Sequence, residues 1–209
     1  ISATIDGERR PHASLSARIW WQRGTPRRRR GGLMPMVPFE SLPDESRLWV
    51  FAVERTLEGG DQETFLGFVD QFLETWAPHG VPLICGRDFR RGRFLLVAVD
   101  EASVPPSGCS IDAMVGVLKD QERRLGMQIL DNTPVWFVAA GEVQRTSRSE
   151  FSRLAEEGAV GPETVVFDNT VTRLKDARAG RWEGPARRSW HQRVFFKHSG
   201  AAQAGTSHP

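Results

Sequence analysis

Tyrosine is absent from this 209-residue chain, and cysteine occurs only twice, as Cys85 and Cys109. Two cysteines in a chain this long cannot build a disulfide framework, and a reducing cytoplasm is the compartment that usage predicts. They stand 24 positions apart, without a C-x-x-C pair or an H-E-x-x-H helix, so neither a metal nor a cofactor is expected. No apolar run reaches the roughly 18 residues of a membrane span. The Arg-rich start has no apolar h-region, so no secretory signal is expected. Phosphate cradling by a P-loop is also excluded: Lys119, Lys175 and Lys197 follow Leu, Leu and Phe, and no Gly-Lys-Ser/Thr exists.

The net charge of +2 is the sum of three unlike regions. Residues 1–32 hold eight Arg against two acidic residues, a balance of +6. Residues 33–174 hold 13 basic and 22 acidic residues, a balance of −9, and residues 175–209 hold seven basic against two acidic, +5. An acidic middle disfavours phosphate-backbone binding there. Residues 1–33, with Arg27-Arg28-Arg29-Arg30, read as a disordered extension, from an over-extended reading frame or, alternatively, a basic arm. Residues 196–209 read as a disordered tail.

Between these ends the apolar periodicity is legible. Leu48 to Val53 is a continuous run suited to a strand buried on both faces. Phe65, Phe68, Val69, Phe72, Leu73 and Trp76 recur at helical spacing, with Asp61 as a candidate cap. Pro82-Leu83-Ile84-Cys85 opens a second strand, and Arg90-Arg91-Gly92 reads as a hairpin turn into a third at Phe94 to Val99. A second helix carries Ile111, Met114, Val115, Leu118 and Leu125, with Ser110 as expected N-cap and Gly126 as stop, and Val135 to Ala139 is a fourth strand. The order β-α-β-β-α-β over 36–140 predicts an α+β fold of ferredoxin-like type. Its first and third strands are expected at the centre, since Pro82 and Pro134 open the second and fourth. Those central strands are expected to run parallel, so that both helices start at one rim. They are apolar on both faces, so a C-terminal segment or a second subunit must cover the face away from the helices. Residues 141–195 predict a small β-α-β appendage, with Ser147-x-x-Glu150 as a capping box before Phe151.

Two resemblances stand on these residues. Val37-Pro38-Phe39, Leu42-Pro43, Trp76, His79-Gly80, Val97-Ala98-Val99-Asp100-Glu101, Ser107-Gly108-Cys109-Ser110-Ile111-Asp112 and Ser189-Trp190-His191 resemble an uncharacterised bacterial family often labelled "ABC transporter ATPase". That resemblance implies no established activity, and the missing P-loop removes the ATPase chemistry of the label. Phe151, Leu154, Gly158, Val160, Thr164, Val166 and Trp182 resemble the bacterial GYF-like module, whose relatives bind proline-rich peptides on aromatic surfaces. The Gly-Tyr-Phe tripeptide itself is missing.

The chemistry-bearing candidates are few. Cys109 sits at a helix start, where amide groups and the helix dipole favour a thiolate. His191 is the base expected to reach it, whereas His79 is expected at the opposite rim. Asp100, Glu101, Ser110 and Asp112 surround the same loop as candidate binding groups, with Asp100-Glu101 also a candidate acid/base pair or hard-metal ligand pair, against the plainer reading of solvated or loop-capping carboxylates. Trp190, among Arg187, Arg188 and Arg193, is either a docking residue or part of the strap over the sheet. Arg87, Arg90, Arg91 and Arg93 carry a minor nucleic-acid alternative. The leading expectation is a binding or interaction protein with a protein partner or second subunit. The enzyme alternative is thiol chemistry by Cys109 with His191.

Overall fold

Alternation along two apolar strands determines the layering. The computed structural model describes residues 36–196, so the Arg-rich segment 1–33 and the tail from 197 lie outside the described residues. β1 (Arg47–Ala52) and β2 (Cys85–Arg90) flank β3 (Phe94–Val99), and β3 pairs antiparallel with both. On one face, Phe51, Leu95, Val97 and Val99 pack under α1 (Gly59–Thr75) and α2 (Gly108–Leu125). On the other, Leu48, Val50, Phe94, Leu96 and Ala98 form a second core. Side chains alternate sides along a strand, so one run of six apolar residues serves two layers.

The second core is closed by the C-terminal half of the same chain. β4 (Val135–Ala139) pairs with β5 (Glu142–Thr146) and β6 (Val165–Phe167), and β6 pairs with β7 (Glu183–Pro185), in the order β5-β4-β6-β7. Trp136, Phe167, Leu174 and Trp182 of this half meet β1 and β3. The opposite face buries Val135, Phe137 and Val166 against Phe151 of α3 (Arg148–Glu156) and the aromatic side chains of α5 (Trp190–Phe195). The protein is thus α+β, with helices outside two antiparallel sheets packed face to face. A five-residue helix, α4 (Leu174–Arg178), lies between β6 and β7.

Several expectations need correction. The fourth strand does not join β1: it pairs with β5 and β6, and the boundary expected near residue 140 falls inside the second sheet. β1 and β3 are antiparallel, with Arg47 opposite Val99 and Ala52 opposite Phe94. Each connecting helix therefore starts at the rim where the other ends. The strap over the second face is made by Trp136, Phe167 and Trp182, while Trp190 packs on the far side of the second sheet. Caps shift too. Ser107, not Ser110, caps α2, its Oγ accepting from the Ser110 amide at 3.2 Å. Glu58 precedes α1 without a side-chain cap, and Asp61 instead pairs with Arg55 at 2.6 Å.

At the β2 edge the entering chain lies directly on the sheet. The Val37 amide donates to the Cys85 carbonyl at 2.8 Å, and a Cβ placed on Gly86 would stand 2.6 Å from the Val37 carbonyl oxygen. That partner is backbone and cannot swing away. Gly86→Ala is expected to cost about 2 kcal/mol through overpacking. Urea unfolding of the purified protein checks this, and an unchanged midpoint would show that the close approach does not constrain the fold.

Candidate functional site

The antiparallel course of β3 decides what can meet at its exit. Asp100 follows Val99 and closes its own loop: its carboxylate accepts from the Ala102 amide (3.1 Å) and the Ser103 hydroxyl (2.7 Å). Glu101 bridges Arg47 at 3.3 Å and Arg173 at 2.9 Å, joining β1 to the chain before α4. Both carboxylates of the candidate pair therefore hold structure. Ser110 is buried; its hydroxyl donates to the Ser107 carbonyl at 2.8 Å and its carbonyl accepts the Trp76 indole N–H at 2.9 Å. This ties the end of α1 to the start of α2. Asp112 is exposed, one turn into α2, with no hydrogen-bond partner among the described residues.

Cys109 is exposed on the first turn of α2. It shares a cavity of about 330 Å³ with Trp76, Pro78, His79, Ser107 and Ser110. His79, expected at the far rim, is here because α1 runs back along the sheet to the rim from which α2 departs. His191 is not here. Its ring is 1% exposed behind the second sheet, stacked on Trp190 with centroids 3.9 Å apart, and Nδ1 is 2.7 Å from the Ser189 hydroxyl. The Cys109–His191 pair is therefore not formed, because α5 packs with α3 on the outer face of the second sheet. Burial pushes the His191 pKa down to about 4, with Asp168 acting the other way and Arg148 reinforcing the shift. Cys85 is inert filler in the helix-side core, its thiol pushed up to about 12 by burial.

Several polar groups without a partner in the chain surround Trp190. A cavity of about 530 Å³ is lined by Asp168, Thr172, Arg188, Ser189, Trp190, Gln192 and Arg193, among others. Asp168 is 8% exposed; Oδ1 accepts from the Thr170 amide at 3.0 Å and from its hydroxyl. Oδ2 has no hydrogen-bond partner among the described residues. Gln192 donates from Nε2 to the Phe196 carbonyl at 3.2 Å, and its Oε1 is buried without a partner. Arg181 pairs with Asp176 (3.2 Å) and Arg187 with Glu163 (2.6 Å), whereas Arg188 and Arg193 have no carboxylate partner among the described residues. A neighbouring cavity of about 260 Å³ shares Thr170, Val171, Thr172 and Trp190 and extends to Arg148, whose guanidinium lies 5.1 Å from the Trp190 ring centroid. Trp190 is thus a common wall of two cavities. The sequence singles out Trp190 but not Asp168 or Gln192. The available signal is Asp168-Asn169-Thr170, an Asx-turn pattern closing a strand.

The hairpin arginines are engaged within the chain. Arg87 forks onto Asp70 at 2.7 and 2.6 Å, Arg90 pairs with Asp88 at 2.6 Å, Arg91 pairs with Glu183, and Arg93 donates to the Glu54 carbonyl at 2.8 Å. No protein-family model, curated protein or solved structure matches the chain.

Two measurements follow from this geometry. Under native conditions an alkylating reagent is expected to modify Cys109 and leave Cys85 unmodified until the protein unfolds; mass spectrometry of the two peptides reads this directly. Equal labelling of both thiols would contradict the burial of Cys85. For His191 the sign is set by its lowered pKa, about 4 folded against 6.5 for the free side chain. Between those values the unfolded chain binds the extra proton, so the contribution is complete above pH 6.5 and lost as pH falls toward 4. The loss is on the order of 2–3 kcal/mol. Unfolding free energies of wild type and His191→Asn at pH 7 and 4.5 check it; equal pH slopes would refute the assignment.

Proposed function

We propose that the protein is a binding protein whose Trp190 groove receives an acidic, extended peptide segment of a partner protein. The carrying observation is one cavity holding two arginines without counter-ions, Arg188 and Arg193, beside acceptors without donors, Asp168 Oδ2 and Gln192 Oε1. A peptide supplies both complements: side-chain carboxylates for the guanidinium groups, and backbone N–H groups for the oxygens. Nucleic acid supplies the anions, but the negative balance of residues 33–174 opposes it. The reading is compatible with both resemblances. The β1-β3-β2 order with two helices on one face supports a ferredoxin-like reading in which the fourth strand is diverted to the second sheet. The β-β-α-β order from Val135 to Phe167 supports a GYF-like one. Two free cysteines support a reducing, cytoplasmic setting.

A second reading is thiol-dependent chemistry at Cys109. It is favoured by the shared cavity with His79, which replaces His191 as the available base.

Fluorescence anisotropy with a short Asp/Glu-rich peptide tests the first reading. Arg188→Gln and Arg193→Gln are each expected to weaken binding about tenfold, the affinity to fall with salt, and Cys109→Ala to leave it unchanged. Tighter binding of a single-stranded oligonucleotide, or equal binding of a Lys-rich control peptide, would overturn it.

A further inference from the structure

Helix α2 buries Ser110, Met114, Leu118 and Gln121 along one stripe. Spacings of four, four and three keep these residues on a single face of the helix. The last is out of character for a core position. Gln121 is 3% exposed; its amide has no hydrogen-bond partner among the described residues, and the little of it that is exposed faces solvent. A polar residue breaking a core stripe is expected at functional positions. Gln121 is in the wall of a cavity of about 660 Å³ between α1 and α2, on the outer side of the helix layer. Phe68, Phe72 and Val117 supply its apolar wall. Arg124 lines it too, its guanidinium 4.1 Å from the Phe68 ring centroid and without a carboxylate partner among the described residues. The neighbouring Arg123 is paired with Asp120. The volume lies within the ordinary range of small-molecule pockets, and few polar groups on an apolar wall is their usual chemistry.

We propose that this cavity binds a small aromatic carboxylate, at a site separate from the Trp190 groove and independent of the function proposed for it. Two phenylalanines one turn apart on α1 offer ring edges and faces to a planar ligand. The Arg124 guanidinium, already held over an aromatic ring, can stack on the ligand and fork onto its carboxylate. The Gln121 amide, at the solvent-facing edge of the stripe, donates a further hydrogen bond to the anion.

The test is titration of the full chain with 2-naphthoate, read by naphthoate fluorescence and by the side-chain amide resonances of Gln121. Saturable binding that shifts those resonances is expected. Gln121→Leu and Arg124→Gln should each weaken it about tenfold or more. Gln121→Leu should do so without lowering the unfolding midpoint, since an apolar side chain suits the stripe, which separates a binding role from a structural one. Arg188→Gln should leave naphthoate binding unchanged whether or not the peptide reading holds. No saturable binding in the millimolar range, retention of affinity in both variants, or equal affinity for the neutral naphthamide or for decanoate would each overturn the proposal.

Discussion

Phe94 is the residue on which the rest of the architecture turns. Its ring stacks on Phe167 at 4.4 Å and meets the edges or faces of Trp136 at 5.5 Å and Trp182 at 5.3 Å. These four side chains, one from β3 and three from the C-terminal half, weld two sheets that share no backbone ladder. Burying an aromatic ring contributes roughly 1.5–3 kcal/mol, and well-oriented aromatic pairs add about 0.5–1.5. The ion pairs that cross between the halves, such as Arg91–Glu183 and Arg145–Glu54, are partly exposed and contribute about 1 kcal/mol or less each. The aromatic contacts therefore set the sheet-to-sheet packing, and the charges trim it. Trp136 makes the ranking plain: its indole N–H is buried without a partner, a cost the packing of the ring outweighs.

The same packing accounts for where polar groups collect. Both faces of the first sheet are filled, one by helices and one by the second sheet, and the cavity of about 260 Å³ opens only along the outer edge of β1, lined by Leu48 to Phe51. Openings remain where layers end: between the outer flanks of α1 and α2, at the start of α2, and along the seam where β1 leaves the second sheet near Trp190. At the β1 exit the seam is closed. Glu54 accepts from the Gln128 amide at 3.0 Å and from Arg145 at 2.8 Å, and Arg145 also reaches Asp131 at 3.2 Å. The Gln128 amide, and behind it Arg145, hold the Glu54 carboxyl below the usual carboxylate range. Near Trp190 the seam has no such latch.

What was legible in the sequence follows from how local each signal is. Leu48 to Val53 and Phe94 to Val99 read as strands buried on both faces, because continuous apolarity is a property of the residues themselves. The need for a cover over the second face was legible for the same reason. The partner of β4 was not: Val135 to Ala139 carries equal β character whether it extends one sheet or founds another. The choice is made by Phe167 and Trp182, some 30 and 45 positions downstream, once they stack with Phe94 and Trp136. The rim assignment failed on direction. A continuous apolar strand reads the same in both orientations, and only the pairing of Arg47 with Val99 brings His79, rather than His191, to Cys109.

Candidate site residues chosen by chemical type alone mostly proved to be structural. Asp100 closes a loop, Glu101 joins two segments, Ser110 anchors an indole, and the hairpin arginines each find a partner close at hand. Reactive side-chain types are common, and a folded chain uses most of them to satisfy its own backbone and charges. A group left unsatisfied despite deep burial is rarer, because folding penalises it and nothing inside the chain offsets the penalty. Gln192 Oε1 is such a group, while Asp168 Oδ2 and the Gln121 amide have no partner among the described residues; each stands in the wall of a cavity beside an arginine that lacks a carboxylate among the described residues. The coincidence of an unmet acceptor or amide with an uncompensated cation distinguishes these cavities from the one at Cys109. There the buried hydroxyl of Ser110 and the indole N–H of Trp76 are already bonded, and His79 and Cys109 are exposed. Polar groups without a partner in the chain, rather than residue type, single out these two cavities.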